Sequence, residues 1–410
     1  MKPALKLIAR DEAAGDTVPG ALFDVDWEPP VRGRRRVLSD WNDYIAVASQ
    51  VVGRFHGEFK LGHFDYVHPT RLQRGTPQRL KHDYATSVAY ADWGPRDAPL
   101  IVACGGVASV AMRFNYLASD LSDKFRLVCM DWVGRGRSGW LASEGDYSLS
   151  TYAEQLRQMI AHLQPADGAG AGAGARAGAG AHPVTVLGSS LGGSAAIELA
   201  SRHPRLIDRL ILNDVGPHIP ARRRRRRADT LARHYVFRDP ADMLRRLGAS
   251  AKNDGPVSDD IRFNLTFHQT RWSDEEGGRV YRHDVRALQA YRRDAQKSLV
   301  QWPQWHKVRC PVLLIHGLQS DALLEPTVRR MSRGKQITVM RLPDTGHAPL
   351  LADRNQIWFI RDWLIGQGVG QDSGIEGASI AEQEWTVLHA PQRERYPGTP
   401  LSFAPASALR

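Results

Sequence analysis

The sequence of 410 residues has few cysteines, no long apolar run and no recognisable leader. Its three cysteines, Cys104, Cys129 and Cys310, lack the CxxC spacing of zinc and redox sites, so we interpret them as reduced core residues. No segment reaches the roughly 18 consecutive apolar residues that a membrane-spanning helix requires. The first residues also lack the apolar segment of a signal peptide. These absences predict a cytoplasmic protein without a transmembrane segment.

The sequence also lacks convincing nucleotide and metal motifs. No GxxxxGK[ST] sequence occurs, and residues 134–139 have the form GxGxxG without an apolar helix directly after them. A dinucleotide site needs that helix, because the pyrophosphate binds at its N-terminus. His63 and His68 have no third ligand at a spacing typical of metal sites. We therefore expect no cofactor and no metal ion.

Positive charge is in excess and is unevenly distributed. The formal net charge is +11, and residues 218–310 contain 21 lysines and arginines against 11 aspartates and glutamates. Residues 222–227 are six consecutive arginines. Two interpretations stay open: a solvated helix face, or a surface that concentrates anionic substrates or holds the protein near anionic surfaces. No recognition motif accompanies the run, so we expect no nucleic-acid partner.

From residue 58 onward, short apolar runs alternate with helical stretches. Runs rich in valine, isoleucine and leucine, apolar on both faces, indicate parallel strands covered by helices, which is the α/β class. The predicted strands are 58–67, 87–93, 100–104, 126–130, 184–187, 210–212, 312–315 and 337–342. The predicted helices between them are 108–120, 151–163, 191–202 and 355–365.

Composition divides the chain into five parts. The long basic segment has helical patterns and a size typical of a cap inserted between two strands, whereas the Gly-Ala tract can bury little and predicts a surface loop. The predicted parts are an irregular basic extension (1–55), the first part of an α/β core (56–217, with the Gly-Ala loop 168–181), a helical cap (218–306), the second part of the core (307–366) and a flexible tail (367–410).

Gly188, Ser190 and Gly192 form a G-x-S-x-G sequence between a predicted strand and a predicted helix. In that context the glycines let the backbone turn sharply and expose the serine hydroxyl above the sheet edge. The same five residues could form a purely structural turn. The strand before them and the helix after them favour a nucleophile, and Ser190 is our candidate.

A serine nucleophile needs a base, and the base needs a carboxylate to fix its tautomer. His347 follows the predicted strand 337–342, and Asp321 follows the predicted strand 312–315. Ser190, Asp321 and His347 are therefore the predicted catalytic set, at strand ends that gather on one sheet edge. Asp214 also follows a strand and is the alternative acid. Taken singly, an aspartate after a strand is more often a turn residue.

Hydrolysis of an acyl bond passes through a tetrahedral oxyanion, which backbone N–H groups stabilise. The residue after the nucleophile, Leu191, supplies one predicted donor. The loop that follows strand 100–104 supplies the other, for which Val107 is our first choice and Gly106 the second. Two glycines after a strand could also form a simple turn.

As an ordered set, these pieces resemble the α/β-hydrolases, and among them soluble bacterial members with a helical cap. The resemblance covers about residues 85–365 and also includes the turn 131–138 and the segment 213–217. It implies a mostly parallel, eight-stranded sheet with helices on both faces and an inserted cap. One departure is that Gly105-Gly106 stands where the family usually has His-Gly, whose histidine supports the oxyanion loop.

The resemblance and the candidate residues predict a hydrolase that cleaves a carboxylic ester or a similar acyl bond through an acyl-enzyme. One alternative is cleavage of a carbon–carbon bond in an acidic vinylogous diketone, as some capped relatives perform. Acyl transfer and non-catalytic binding on the same fold are further alternatives. An aspartate nucleophile is excluded because serine occupies the turn. The expected partner is a small-molecule acyl substrate, and the basic cap suggests an anionic one.

Overall fold

The computed structural model describes residues 41, 59–69, 85–164, 184–231, 234–248, 254–255, 257, 259–335, 337–366 and 384–385. The predicted N-terminal extension, the Gly-Ala loop and the predicted tail lie outside these residues, apart from Trp41 and the pair Glu384–Trp385. Those three therefore stay predictions.

The first part of the core contains six strands and three α-helices in its described residues. The strands are β1 (Phe59–Val67), β2 (Ala85–Trp93), β3 (Leu100–Cys104), β4 (Arg126–Met130), β5 (Val184–Ser189) and β6 (Ile207–Asn213). The helices are α1 (Asn115–Leu121), α2 (Leu149–Leu163) and α3 (Leu191–Arg202). The helix predicted over 108–120 is instead a 3₁₀ turn, Ala111–Phe114, followed by α1.

Residues 218–306, the predicted cap, contain strands as well as helices in their described parts. Its described strands are β7 (His218–Ile219), β8 (Val236–Phe237), β9 (Thr270–Ser273), β10 (Gly278–Tyr281) and β11 (Leu299–Val300). Its described helices are α4 (Ala221–Leu231), α5 (Pro240–Gly248), α6 (Asp259–Gln269), α7 (Val285–Asp294) and α8 (Trp302–Lys307). Strands β8, β10 and β9 form a small antiparallel sheet. Short strands therefore pair with one another between the helices of the predicted cap.

The chain then returns to the large sheet. The remaining elements are β12 (Val312–Gly317), α9 (Glu325–Met331), β13 (Ile337–Leu342), α10 (Arg354–Ile365) and β14 (Glu384–Trp385). Asp353 caps the N-terminus of α10, since its side chain accepts hydrogen bonds from two backbone N–H groups of the first turn, and Gly366, with a left-handed φ of 74°, follows its last residue. Both features are common at helix ends. The aspartate accepts hydrogen bonds from N–H groups that have no partner inside the helix, and the glycine adopts the left-handed conformation that ends the helix.

The large sheet has the strand order β1-β2-β4-β3-β5-β6-β12-β13-β14 in the described residues. Strands β1, β2 and β4 pair antiparallel, and the other pairings are parallel. The prediction of a mostly parallel sheet is confirmed. The eight strands expected are joined by β14, a two-residue strand that pairs with β13 and lies in the segment predicted as a flexible tail.

Helices cover both faces of this sheet. Successive side chains on each central strand point to opposite faces, so neighbouring residues are buried in different clusters. Val186 and Leu187, neighbours on β5, belong to different buried clusters. The same holds for Ile211 and Leu212 on β6. Burial of each such side chain stabilises the fold by about 1.5–3 kcal/mol. This two-sided burial produces the uninterrupted apolar runs seen in the sequence.

Candidate active site

Ser190 occupies the sharp turn between β5 and α3. Its backbone has φ 52° and ψ −111°, a conformation that costs energy for a residue with a side chain. The turn is possible because the neighbouring glycines leave room. A Cβ on Gly192 would lie 2.3 Å from the carbonyl oxygen of Cys104, and one on Gly188 would lie 2.5 Å from Cα of Gly193. The turn therefore has the geometry predicted from the sequence.

His347 lies beside Ser190 although 157 positions separate the two residues in the chain. Its Nε2 is 3.0 Å from the Ser190 Oγ, and its Nδ1 is 2.8 Å from Oδ2 of Asp214. Only 12% of the His347 side chain is exposed. The three side chains thus form a continuous line of hydrogen bonds, in which the imidazole can accept the serine proton at Nε2 while Nδ1–H donates to the carboxylate.

Asp214 is held rigidly at the end of β6. Its side chain is fully buried, its Oδ1 accepts the backbone N–H of Gly317 at 2.9 Å, and its Oδ2 accepts the hydroxyl of Ser320 at 2.5 Å. Its own φ of 51° places it in the left-handed region, which aspartate tolerates better than most residues. A buried carboxylate needs such partners to offset lost hydration.

Asp321 does not contact His347, so the predicted pairing of these two residues was wrong. Its carboxylate forms ion pairs with Arg223 and Arg226 of the cap, and 43% of its side chain is exposed. The chain turns after β12 so that Ser320, one residue earlier, points inward to Asp214. Both aspartates follow strands and both lie between serine and histidine in the chain. Chain order therefore could not separate them, and the structure places the alternative acid at His347.

The proposed oxyanion loop lies against the serine. A Cβ on Gly106 would be 3.5 Å from Cβ of Ser190 and 4.0 Å from its Oγ. Within the part of the chain that the structure describes, the backbone N–H groups of Val107 and Leu191 have no hydrogen-bond acceptor. One of these N–H groups directly follows the serine, and the other lies in the loop that contacts it, so both are candidates to stabilise a charge that develops during reaction.

Two buried side chains support this loop where the family usually has a histidine. Trp132 Nε1 donates to the carbonyl of Gly105 at 2.8 Å, and Arg135 Nε donates to the carbonyl of Val107 at 2.8 Å. Arg135 is only 1% exposed and also donates to the hydroxyl of Tyr152 at 2.7 Å. Both donors come from the turn after β4, which the sequence singled out as part of the family resemblance but not as a support.

Opposing effects act on the imidazole. Burial lowers the pKa of His347, because an imidazolium loses hydration there, and the hydrogen bond and charge of Asp214 raise it. The nearby charges of Arg223 and Arg227 lower it, and the net shift of this pKa is downward from its ordinary value. The neutral imidazole is thereby favoured, which is the form that can accept a proton.

The described residues contain no group of three or more histidine, cysteine, aspartate or glutamate side chains arranged to hold a metal ion. None of their helices is both long and apolar enough to cross a membrane.

Comparison with known proteins places these observations in a family. A model of the alpha/beta hydrolase family matches residues 100–359, more than half of the chain. The chain is 29% identical to a 3-hydroxybutyrate-oligomer hydrolase of Cupriavidus necator, over 75% of this chain and 98% of that protein.

Two solved structures are similar in fold. One is a putative hydrolase from Rickettsia typhi, with TM-score 0.63 and 22% identity over 75% of this chain and 99% of that one. The other is an alpha/beta hydrolase from Novosphingobium aromaticivorans, with TM-score 0.60 and 20% identity over 74% of this chain and 98% of that one. The curated relative is a hydrolase, and the fold, the strand-end site and the family match agree. The chain therefore belongs to the alpha/beta hydrolase family.

Proposed function

We propose that this protein hydrolyses carboxylic esters, with Ser190 as nucleophile, His347 as general base and acid, and Asp214 as the carboxylate that orients the histidine. The observation that carries the proposal is the line of hydrogen bonds from Ser190 Oγ to His347 Nε2 and from Nδ1 to Asp214 Oδ2, at 3.0 and 2.8 Å. A protein that only bound ligands on this fold would not need the three residues in that alignment.

The reaction has two halves. In the first, His347 Nε2 takes the proton of Ser190, whose Oγ attacks the acyl carbon and places a negative charge on the carbonyl oxygen. The N–H groups of Leu191 and Val107 stabilise this oxyanion, and His347 then gives its proton to the departing alcohol. In the second half, His347 takes a proton from water, whose oxygen attacks the acyl-enzyme, and Ser190 leaves reprotonated. The products are one alcohol and one carboxylic acid.

Asp214 acts through the histidine. Its contact at Nδ1 keeps the proton on that nitrogen, which leaves the lone pair of Nε2 directed at Ser190. Its negative charge also stabilises the imidazolium that forms in each half of the reaction. Because Gly317 and Ser320 hold both carboxylate oxygens, this orientation is set before substrate binds.

For the substrate, we propose short oligoesters of 3-hydroxy acids, beginning with the 3-hydroxybutyrate dimer and trimer. The support is the 29% identity to a 3-hydroxybutyrate-oligomer hydrolase, which extends over 98% of that protein and 75% of this chain. Hydrolysis of such an oligomer releases a hydroxy acid at each step, so one site can shorten the chain repeatedly. Carbon–carbon bond hydrolysis and acyl transfer stay as alternatives that the assays below distinguish.

A fluorophosphonate probe tests the nucleophile. We expect it to label the wild type and Ser189→Ala, and not Ser190→Ala. Ser189 is a matched control, because it is adjacent in the same turn but fully buried, with its hydroxyl near the amide of Asn213. Equal labelling of Ser190→Ala, or no labelling of the wild type, would contradict the assignment.

A substrate panel tests the bond. It contains 3-hydroxybutyrate dimer and trimer, simple acyl esters, a vinylogous diketone acid, and an ester with a competing alcohol as acceptor. We expect free 3-hydroxybutyrate from the oligomers. Turnover of the diketone alone, or ester exchange without free acid, would instead support one of the two alternatives.

A further inference from the structure

Helix α4 carries the six consecutive arginines, and its arginines differ in environment. Arg222 and Arg225 are exposed to solvent. Arg224 donates to the carbonyl oxygens of Asp294 and Lys297, which fixes the helix to the end of α7. The simple interpretation as a solvated face therefore applies to only part of the run.

Arg223 joins this helix to the catalytic loops. Its guanidinium binds Asp321, and only 11% of its side chain is exposed. Asp321 directly follows Ser320, whose hydroxyl binds Asp214. The inner face of α4 is thus anchored one residue from Ser320, the serine that donates to the carboxylate of Asp214.

A second arginine, from the core, contacts the loop that carries His347. Arg113, in the 3₁₀ turn before α1, donates a hydrogen bond to the backbone carbonyl of Ala348, the residue after His347. Burial lowers the pKa of Arg113, and the negative charge of nearby Asp254 offsets part of this effect. One guanidinium group of the cap therefore contacts the loop after β12, and one of the core contacts the loop after β13, which carries His347.

Arg227 completes the group. It lies four residues after Arg223, which is one helical turn along the same face, and it is half-buried. Within the described parts of the chain, no residue accepts a hydrogen bond from Arg227 or forms an ion pair with it. Burial and the neighbouring charge of Arg223 lower the pKa of Arg227. A partly buried cation beside another cation, without an anion of its own, is unfavourable unless a ligand supplies the negative charge.

We propose that Arg227, with Arg113 and Arg223, binds a carboxylate of the substrate while Ser190 attacks an ester bond elsewhere in it. The inference rests on the proposed ester hydrolysis and names its substrate class: acyl esters that carry a free carboxylate, such as an oligoester of hydroxy acids with its acid end intact. Arginine suits this task because its planar guanidinium matches the two carboxylate oxygens. Binding at the remote carboxylate positions the ester for attack.

The test compares two esters of similar length, 4-nitrophenyl hydrogen glutarate, which is anionic, and 4-nitrophenyl valerate, which is neutral. We measure kcat/KM for both at about pH 8, where the histidine is neutral. The variants are Arg227→Gln and, as matched control, Arg225→Gln on the exposed face of the same helix. We expect Arg227→Gln to lower the glutarate-to-valerate ratio about 10- to 100-fold, chiefly through KM, as loss of a charge-assisted hydrogen bond would. Arg225→Gln should keep the wild-type ratio.

An unchanged ratio in Arg227→Gln would overturn the proposal, and an equal fall in Arg225→Gln would show that bulk charge alone is responsible. A binding measurement separates this inference from the proposed ester hydrolysis. In the Ser190→Ala background, calorimetric titration with monomethyl glutarate should show binding that Arg227→Gln weakens by a similar factor. Failure of both esters to turn over, together with this binding, would reject ester hydrolysis but keep the anion site. Absence of binding would reject the anion site itself.

Discussion

Replacement of Asp214 by asparagine removes one negative charge and alters one hydrogen bond at the centre of the site. Oδ1 of Asp214 accepts from the N–H of Gly317, and Oδ2 accepts from Ser320 and faces Nδ1 of His347. An asparagine that keeps its carbonyl toward Gly317 turns its NH₂ group toward the imidazole. That group can only donate, so it favours the tautomer with its proton on Nε2, which cannot accept the proton of Ser190.

The expected loss is large. Removing the carboxylate of such a set, with the geometry otherwise intact, lowers kcat about 10⁴-fold. This corresponds to about 5 kcal/mol of transition-state stabilisation. The donors at Leu191 and Val107 are unaffected, so we expect residual turnover above the uncatalysed rate. The assay is steady-state hydrolysis of a neutral 4-nitrophenyl ester, with thermal unfolding measured in parallel to confirm that the variant is folded.

The matched control is Asp321→Asn, because Asp321 is the aspartate that the sequence favoured. Its ion pairs with Arg223 and Arg226 are partly exposed, and exposed pairs contribute about 0–1 kcal/mol each. We expect kcat for the neutral ester to change by no more than about threefold. A collapse of turnover in Asp321→Asn with near-normal turnover in Asp214→Asn would refute the geometry described above.

Three further predictions concern the histidine and the oxyanion loop. The pKa of His347 is shifted downward from the ordinary histidine value of about 6.5, so kcat/KM should stay constant above that pH and fall only in more acidic solution. A midpoint above about pH 7 in the profile of kcat/KM against pH would contradict this. Arg135→Met should lower kcat about 10- to 100-fold with little change in KM, because the carbonyl of Val107 loses its donor and the loop shifts; unchanged kcat would show that the loop needs no such support. Gly106→Ala should fold normally, since its added Cβ meets nothing closer than 3.5 Å, but it should hydrolyse bulky esters more slowly. Gly192→Ala should unfold at a lower temperature, because its added Cβ would lie 2.3 Å from the carbonyl oxygen of Cys104. Equal melting temperatures for these two variants would argue against the packing described.

The sequence by itself determined the sheet and the turn that carries the nucleophile. Strands β3, β4 and β13 begin and end where the apolar runs predicted, because strands of a sheet that is covered on both faces are nearly continuous apolar runs. The polar residues inside β13, Thr338 and Arg341, are only partly buried. The turn at Ser190 was equally visible, since a short strand, a glycine on either side of the serine and a following helix are all local features. Helix α3 also matches its predicted bounds.

The tertiary structure decided which aspartate faces His347. Asp214 and Asp321 both follow strands, and the sequence contains nothing about which loop turns inward. The answer depends on the pairing of β6 with β12, which brings the N–H of Gly317 and the hydroxyl of Ser320 onto Asp214. The support of the oxyanion loop by Arg135, and the contact of Arg113 with the residue after His347, depend likewise on contacts between distant segments. Local sequence patterns predict which residues are buried and where the chain turns. The chemistry of this site depends on side chains from distant segments, which only the packing of the strands and the cap brings together.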